Sequence, residues 1–379
     1  MKAVTFQGAK DVQVKNVPDA KIEKADDIVV RITSTAICGS DLHIYRGAVP
    51  THKDYVIGHE PMGIVEEVGP SVTKVKKGDR VVIPFNISCG ECFYCQHEME
   101  SQCDNSNENP ALDTGAYFGF TERYGNYPGG QAEYLRVPYG NYLPFKIPES
   151  CELEDEALLF LSDVLPTAYW SVEHAGVKKG DTVIVMGSGP IGIMTQQFAW
   201  MKGAKRVIAV DHLPYRLNHA VQKNKVEAFN MDDFDDIGKH LREVTHGGAD
   251  VVIDCVGMDG KMSAMEKIGQ KLKLQGGTIS ALDSSIDAVK KFGTIQLTGV
   301  YGSSYNMFPL GNIFERNITV KSGQAPVVHY MPKIYEMITN GDIDPTHIIT
   351  HRVPLDQASD AYRIFHDHEE ESIKFVLKP

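Results

Sequence analysis

The pattern of apolar and polar residues in this chain changes near residue 150. Residues 1–150 contain short β-branched runs such as DIVVRITSTAI and GIVEEVG, which glycine, proline and aspartate interrupt, and they show no long helical period. This pattern predicts an irregular, β-rich domain.

From about Cys151 onward, helical and strand-like patterns alternate. The sequence predicts a helix over Glu154 to Ala175, followed by strands at DTVIVMG, RVIAVD, VVIDCVG and IQLTGVYG with helical segments between them. Such alternation is typical of an α/β domain with a doubly wound parallel sheet. We expect this domain to span residues 151–320.

The remaining segment, residues 321–379, mixes both kinds of element. Helical patterns surround Tyr330 to Asn340 and Gln357 to Phe365, and the chain ends in a strand-like FVLKP. We expect this tail to return to the β-rich domain, so that residues 1–150 and 321–379 form one domain.

Composition narrows the class of protein. Apolar residues make up 42% and charged residues 23% of the chain, which is typical of a globular protein, and the net charge is −12. Because no block of lysine and arginine offsets this negative charge, we expect no nucleic-acid partner. The start of the chain lacks the apolar region of a signal peptide, and no apolar run reaches the ~18 residues that span a bilayer. We therefore expect a cytoplasmic protein without a membrane partner.

A glycine-rich motif follows the first strand of the alternating region. The apolar run Thr182 to Met186 leads into Gly187, Ser188, Gly189, Pro190, Ile191 and Gly192, and a helical segment comes next. In a dinucleotide site these glycines allow a tight turn, close approach of the pyrophosphate and close packing of helix on strand. Asp211 ends the next strand, where a carboxylate accepts hydrogen bonds from the adenosine ribose. The two features together predict NAD binding.

Four cysteines lie close together in the stretch CGECFYCQHEMESQC, at Cys89, Cys92, Cys95 and Cys103. Four thiolates at this spacing can close a tetrahedron around one zinc ion and leave no open position for a substrate. An iron–sulfur cluster is the alternative, since repeated CxxC steps also hold such clusters. The spacing predicts a structural metal site.

Two further stretches carry candidate ligands and proton-transfer groups. Cys38, Ser40, Asp41 and His43 lie within CGSDLH, and His59 precedes a carboxylate in GHE. A single cysteine or histidine is most often a core or surface residue. In a chain that also has a dinucleotide motif, these residues are candidate ligands of a catalytic metal, because hydride transfer needs a Lewis acid to polarise the alcohol or carbonyl oxygen.

In these motifs and in their order, the sequence closely resembles the zinc-containing medium-chain alcohol dehydrogenases over essentially its full length. The segment GHEPMGIVEEVGPSVTKVKKGDRV carries much of the resemblance. It implies a GroES-like catalytic domain, a Rossmann NAD-binding domain and two zinc ions per chain. The implied activity is hydride transfer between an alcohol, or a hydrated aldehyde, and NAD.

The resemblance also implies roles for individual residues around the catalytic zinc. Cys38 and His59 would be ligands, Glu60 would lie nearby and be able to approach the metal, and Asp41 would brace the ring of His59.

The third ligand departs from the liver-type alcohol dehydrogenases, which have cysteine where this chain has Asp163. A carboxylate there is similar to the glutathione-independent formaldehyde dehydrogenases, as are the stretches SDVLPTAYW and GGQAEYLRVPYGNYLPFKIP, and sorbitol dehydrogenases carry a glutamate. Exchange of thiolate for carboxylate keeps the ligand charge, so zinc remains compatible. The alternative role of Asp163 is to cap the following helix.

Five more positions receive functions from the resemblance. Ser40 would hydrogen-bond the substrate oxygen, and His43 would carry the released proton outward; a surface histidine is the alternative for His43. Thr167 would pack against the nicotinamide, Arg216 would approach the adenosine ribose, and Lys374 matches a cation that contacts the pyrophosphate.

The substrate stays open between several members of the superfamily, which include polyol, threonine and formaldehyde dehydrogenases. A non-catalytic NAD-binding protein on the same fold is a further alternative. The complete set of candidate ligands and proton-transfer groups argues against it. Relatives of this type commonly form tetramers, and we expect a homo-oligomer.

Overall fold

The computed structural model describes residues 1–109, 112–260, 278–302 and 308–379. The chain forms two compact units, of which unit 1 comprises residues 1–166 and 325–379 and unit 2 comprises residues 167–324. The boundaries thus lie at residues 166/167 and 324/325, where the sequence suggested 150/151 and 320/321. No helix in the described ranges has both the length and the apolar character needed to cross a membrane.

The strands, in chain order, are β1 Lys2–Gly8, β2 Asp11–Asn16, β3 Ile28–Ile37, β4 Glu60–Val68, β5 Arg80–Val82, β6 Asn86–Ile87, β7 Ala116–Tyr117, β8 Tyr134–Val137, β9 Phe145–Lys146, β10 Thr182–Met186, β11 Arg206–Asp211, β12 Glu227–Asn230, β13 Ala249–Asp254, β14 Val289–Leu297, β15 Thr319–Ser322, β16 His351–Pro354 and β17 Phe375–Lys378. The α-helices are α1 Asp41–Tyr45, α2 Phe93–Gln96, α3 Asp155–Leu158, α4 Val164–Ala175, α5 Pro190–Met201, α6 Pro214–Asn224, α7 Ile237–Val244, α8 Ser280–Ala288, α9 Leu310–Glu315, α10 Val327–Thr339 and α11 Ala358–Asp367.

Unit 1 is built on a sheet with strand order β16-β17-β3-β4-β5-β9, and β8 also pairs with β3. Ile28, Val30 and Ile32 alternate along β3 and pack with Val65 and Val81 in one apolar core. This period of two is what a strand with one buried face requires.

The pairing of β3 with its two neighbours creates the setting of the candidate site. β3 runs antiparallel to both β4 and β17, with Ala36 opposite Glu60 and Ile37 opposite Phe375. The carboxyl end of β3 therefore lies between the amino ends of β4 and β17. Residues just outside these three ends meet although they are distant in sequence.

Unit 2 contains a six-stranded sheet in the order β12-β11-β10-β13-β14-β15, and all its pairings are parallel. The predicted doubly wound sheet is confirmed, and so are the predicted strands at β10, β11, β13 and β14. Strand order reverses between β10 and β13, and such a switch point is where open α/β sheets bind ligands. The short strands β12 and β15 were not predicted.

The prediction of one continuous helix over Glu154 to Ala175 is wrong. The structure has α3, then a 3-10 turn over Leu159–Ser162, and α4 begins only at Val164. Between them Asp163 has φ −155° and ψ −68°, outside the helical region. Pro166 gives the reason, because proline lacks the amide hydrogen and its ring clashes with the carbonyl four residues earlier, so it fits only the first turn of a helix.

Candidate active site and metal centres

One buried cluster forms where β3, β4 and the break before α4 meet. Its members are Cys38, His59, Glu60 and Asp163, each of which offers a ligand atom within 4.8 Å of the others. The Asp163 Oδ2 atom lies 3.5 Å from Cys38 Sγ and 3.4 Å from His59 Nε2. The structure thus brings together the three residues that the sequence assigned as catalytic zinc ligands, with Glu60 beside them.

These separations fit a zinc ion. Ligand bonds of about 2.0–2.3 Å in tetrahedral geometry place neighbouring ligand atoms roughly 3.3–3.8 Å apart. The two distances from Asp163 Oδ2 lie inside this range. The donor set of thiolate, imidazole and carboxylate is also one that zinc prefers.

A second carboxylate fixes the orientation of the His59 ring. Asp41 Oδ1 lies 3.0 Å from His59 Nδ1, so Nε2 is the ring atom that faces Asp163 and Cys38. Burial would lower the pKa of His59, but the negative charge of Asp41 raises it well above its ordinary value. A carboxylate behind a ligating histidine selects the tautomer whose other nitrogen can bind metal.

Glu60 is held by a buried lysine. Lys374 Nζ donates a hydrogen bond to Glu60 Oε1 at 2.5 Å, and both side chains are buried. Burial raises the pKa of Glu60 despite the opposing effect of Lys374, whereas the charge of Glu60 raises the pKa of Lys374 against its burial. The other oxygen, Glu60 Oε2, has no hydrogen-bond partner in the described part of the chain and can approach a metal. Lys374, which the resemblance assigned to the pyrophosphate, is paired here with a carboxylate.

Ser40 and His43 follow Cys38 at the start of α1. Ser40 Oγ lies 3.4 Å from His59 Nε2, on the side of the ring that faces the ligand cluster. His43 is buried, and its Nδ1 lies 3.0 Å from Arg46 Nη2. Because a guanidinium only donates, Nδ1 accepts and the proton of the neutral ring sits on Nε2.

Aromatic rings cover another side of His59. The rings of Phe85 and Phe120 meet the His59 ring edge-on, with centroids 6.0 and 6.4 Å away. Tyr117 packs against both phenylalanines and against Tyr124. Sequence analysis did not single these rings out, because their positions along the chain show no local motif.

The four-cysteine stretch folds into a second cluster. Cys89 Sγ lies 3.9 Å from Cys95 Sγ, and Cys92 Sγ lies 3.9 Å from Cys103 Sγ. The backbone amides of Glu91 and Cys92 donate to Cys89 Sγ and favour its thiolate form, although burial raises its pKa. A hydrogen bond from the Cys95 thiol lowers the pKa of Cys103 to about 5. All four sulfurs lie within 4.8 Å of one another, and the two quoted distances are close to the edge of about 3.8 Å expected for four Zn–S bonds of about 2.3 Å, so the cluster fits a closed tetrahedral zinc site.

The glycine-rich turn connects β10 to α5 in unit 2. Gly187 has φ +89°, and a Cβ on Gly192 would lie 1.9 Å from Gly187 O, so no larger residue fits there. Gly189 caps α5, with Pro190 at the first helical position and Ile191 next. A Cβ on Gly189 would meet only Arg216 Nη1, at 3.7 Å. The turn thus leaves space at a helix N-terminus beside a cation, as a pyrophosphate requires.

Asp211 lies at the end of β11, next to this turn. Its Oδ2 accepts a hydrogen bond from the Ser188 amide at 2.7 Å, and its Oδ1 accepts from the amides of His212 and Leu213. The carboxylate is therefore fixed relative to the glycine-rich turn. Thr167 is buried in α4.

Comparisons with known proteins identify the family of the chain. The family model for the alcohol dehydrogenase GroES-like domain matches residues 24–149, and the model for zinc-binding dehydrogenases matches residues 190–271. The chain is 60% identical to an uncharacterized zinc-type alcohol dehydrogenase-like protein, AdhB, of Bacillus subtilis, with all of both chains covered. It is 30% identical to a glutathione-independent formaldehyde dehydrogenase of Pseudomonas aeruginosa, covering 100% of this chain and 97% of that protein.

Solved structures give the same result. Alcohol dehydrogenase TADH from Thermus sp. ATN1 superposes with a TM-score of 0.85 at 31% identity, covering 100% of this chain and 99% of that one. The family suggested by the sequence motifs is therefore confirmed, and so is the predicted fold of a GroES-like domain with a Rossmann-type domain. The chain belongs to the zinc-type alcohol dehydrogenases and is an oxidoreductase that acts on alcohols.

Proposed function

We propose that this protein transfers hydride between a small alcohol, or hydrated aldehyde, and NAD at a zinc ion held by Cys38, His59 and Asp163. The observation that carries the proposal is the buried cluster of these three residues, in which Asp163 Oδ2 lies at the edge length of a zinc tetrahedron from both Cys38 Sγ and His59 Nε2. A second zinc in the four-cysteine lobe stabilises that loop and leaves no position for substrate.

Zinc held there supplies a Lewis acid that polarises the substrate oxygen and lowers the pKa of the alcohol. Ser40 orients the substrate oxygen through its hydroxyl, which faces the ligand cluster. His43 would then relay the released proton towards solvent, accepting it on Nδ1 once the contact with Arg46 opens while Nε2 releases its own proton. Asp41 keeps Nε2 of His59 directed at the metal. Glu60 Oε2, which has no hydrogen-bond partner in the described residues, would be able to approach a zinc ion held there, while Lys374 holds Oε1.

The cofactor in this proposal lies along the glycine-rich turn of unit 2. The pyrophosphate would lie at the start of α5, contacted by Gly187, Gly189 and the residues that follow, with Arg216 near the ribose and phosphates. Asp211 would accept the ribose hydroxyls, and its negative charge would repel a 2'-phosphate, so NAD is preferred to NADP. Thr167 would pack against the nicotinamide.

The aromatic rings beside His59 support a small, weakly polar substrate. Phe85 and Phe120 offer no hydrogen-bond partner, and the hydroxyl groups of a polyol would lose their hydration against such a surface. A short aldehyde in its hydrated form is a second expected substrate. It is expected because Asp163 is a carboxylate ligand and because the chain is similar to a formaldehyde dehydrogenase.

We further propose a homo-oligomer, with a tetramer favoured, in the cytoplasm. β15 is an edge strand of the parallel sheet, and close to it Phe292, Leu310 and Phe314 are exposed, Phe314 to 81%. An unpaired edge with exposed apolar side chains favours pairing with another copy. The cysteines form no disulfide, which fits a reducing compartment.

The test is formation of NADH by the zinc-loaded protein with a panel of ethanol, formaldehyde, threonine, sorbitol and 2,3-butanediol. We expect turnover with the small alcohol or the hydrated aldehyde, and loss of turnover in a His59→Ala variant that still binds NAD. A protein that binds NAD yet oxidises none of the panel, with one zinc per chain, would support the non-catalytic alternative.

A further inference from the structure

Two buried side chains to which the sequence assigned no role lie behind Asp41. Gln131 precedes β8, and Tyr362 belongs to α11 near the end of the chain; both are fully buried. Together they extend the contact between His59 and Asp41 further into unit 1.

Asp41 is a fully buried carboxylate, and both of its oxygens face polar groups of the protein. Its Oδ1 faces His59 Nδ1, and its Oδ2 accepts from the Cys38 amide at 3.0 Å and from Gln131 Nε2 at 3.1 Å. Within the described ranges its one ion-pair partner is His59. Loss of a donor to a buried charge is costly because no water replaces it. Gln131 therefore supplies one of the hydrogen bonds that hold Oδ2.

The orientation of the Gln131 amide is fixed by its surroundings. Nε2 also donates to the carbonyl of Ala36 at 3.1 Å, while Oε1 accepts from the Tyr362 hydroxyl at 2.8 Å. The two acceptors beside Nε2 permit one orientation of the amide, since Oε1 in the same place would face two acceptors. The Tyr362 hydroxyl donates to the other end of the amide and so anchors the Gln131 side chain in this position.

Tyr362 is itself held against the helix that carries Asp41. Its ring centroid lies 5.6 Å from that of Tyr45, the last residue of α1, and Asp41 is the first residue of the same helix. Both tyrosines belong to one apolar core. The hydroxyl of Tyr362 therefore has little freedom to turn away.

We propose that Gln131, held in place by Tyr362, is a positioning residue for the catalytic metal. The inference rests on the proposed function, because it assumes that His59 is a ligand. Gln131 keeps the Asp41 carboxylate facing Nδ1 of His59, so Nε2 stays directed at the metal. Outer hydrogen-bond partners of this kind are commonly worth about 10- to 100-fold in metal affinity.

The test measures zinc release from the purified, fully loaded protein in the presence of a coloured chelator. Gln131→Met keeps the volume and removes the hydrogen bonds, and Tyr362→Phe removes one hydroxyl. Tyr55→Phe is the matched control, because Tyr55 is also buried in this core and donates one hydrogen bond, to the Tyr127 carbonyl at 2.7 Å. The release phase that belongs to the catalytic site is the one that a His59→Ala variant lacks.

We expect that phase to be at least about 10-fold faster in Gln131→Met and a few-fold faster in Tyr362→Phe, with Tyr55→Phe like the unaltered protein. Combining Gln131→Met with Tyr362→Phe should accelerate release by less than the product of the two separate effects, since the two side chains share one hydrogen bond. If Gln131→Met does not fold, the inference is still tested by comparing the rate of zinc release in Tyr362→Phe with that in Tyr55→Phe.

Two results would overturn the inference: unchanged release in Tyr362→Phe and Gln131→Met, or equal acceleration in Tyr55→Phe. Either would leave the proposed function intact as long as the unaltered protein shows the phase that depends on His59. If the unaltered protein lacks that phase, the metal assignment itself fails.

Discussion

Replacement of Lys374 by methionine distinguishes between two roles assigned to this residue. The resemblance assigned it to the pyrophosphate of the cofactor, whereas the structure pairs it with Glu60 at 2.5 Å. Lys374 is 1% exposed and Glu60 is 0% exposed, so water cannot compensate for the loss of either charge. Removing one partner of such a pair costs about 3–5 kcal/mol, because the other charge stays buried.

The assay is hydrogen–deuterium exchange of the zinc-loaded protein without NAD. β17 begins next to Lys374, so amides that join β17 to β3 report opening of this region. Each 1.4 kcal/mol is roughly a factor of ten, so exchange there should accelerate by about two to four orders of magnitude. Peptides that cover β10, in unit 2, provide the internal control and should not change.

Two further results decide the interpretation. A double variant, Glu60→Gln with Lys374→Met, should recover most of the protection, because it leaves no unpaired charge. Unchanged exchange in Lys374→Met, together with a higher KM for NAD, would refute the ion-pair reasoning and favour the pyrophosphate contact.

The remaining predictions concern the other assigned residues. Cys92→Ser should remove one zinc per chain and increase proteolysis of the lobe, whereas Cys151→Ser, outside both clusters, should leave zinc content unchanged in elemental analysis. Asp163→Asn should lower catalytic zinc occupancy and turnover by about 10-fold or more; retention of both would mean that Asp163 is mainly a helix cap. His43→Gln should lower turnover near neutral pH, with partial recovery at high pH or on addition of buffer base, and an unchanged pH profile would exclude the relay. Asp211→Ala should narrow the preference for NAD over NADP in kcat/KM, and comparable efficiencies in the unaltered protein would contradict the assignment.

The sequence by itself determined the features whose chemistry lies within a short stretch of chain. The four cysteines of the lobe are near one another in any compact conformation, so their spacing alone predicted their meeting. Gly187 to Gly192 form a turn whose geometry depends on local sterics, and the apolar run before them forms a fully buried parallel strand. The alternation of strands and helices gave the fold class for the same reason, because hydrophobic periodicity is local.

Only the tertiary structure decided which residues from distant parts of the chain come into contact. Lys374 and Glu60 are 314 positions apart, and they meet because β17 and β4 flank the same end of β3. Gln131, just before β8, and Tyr362, in α11, are 231 positions apart and also meet only in the folded chain. The break at Asp163 could have been read from Pro166, but the contact of its carboxylate with Cys38 and His59 could not. Buried polar partners are selected by the geometry of the whole fold, and no local pattern in the sequence records them.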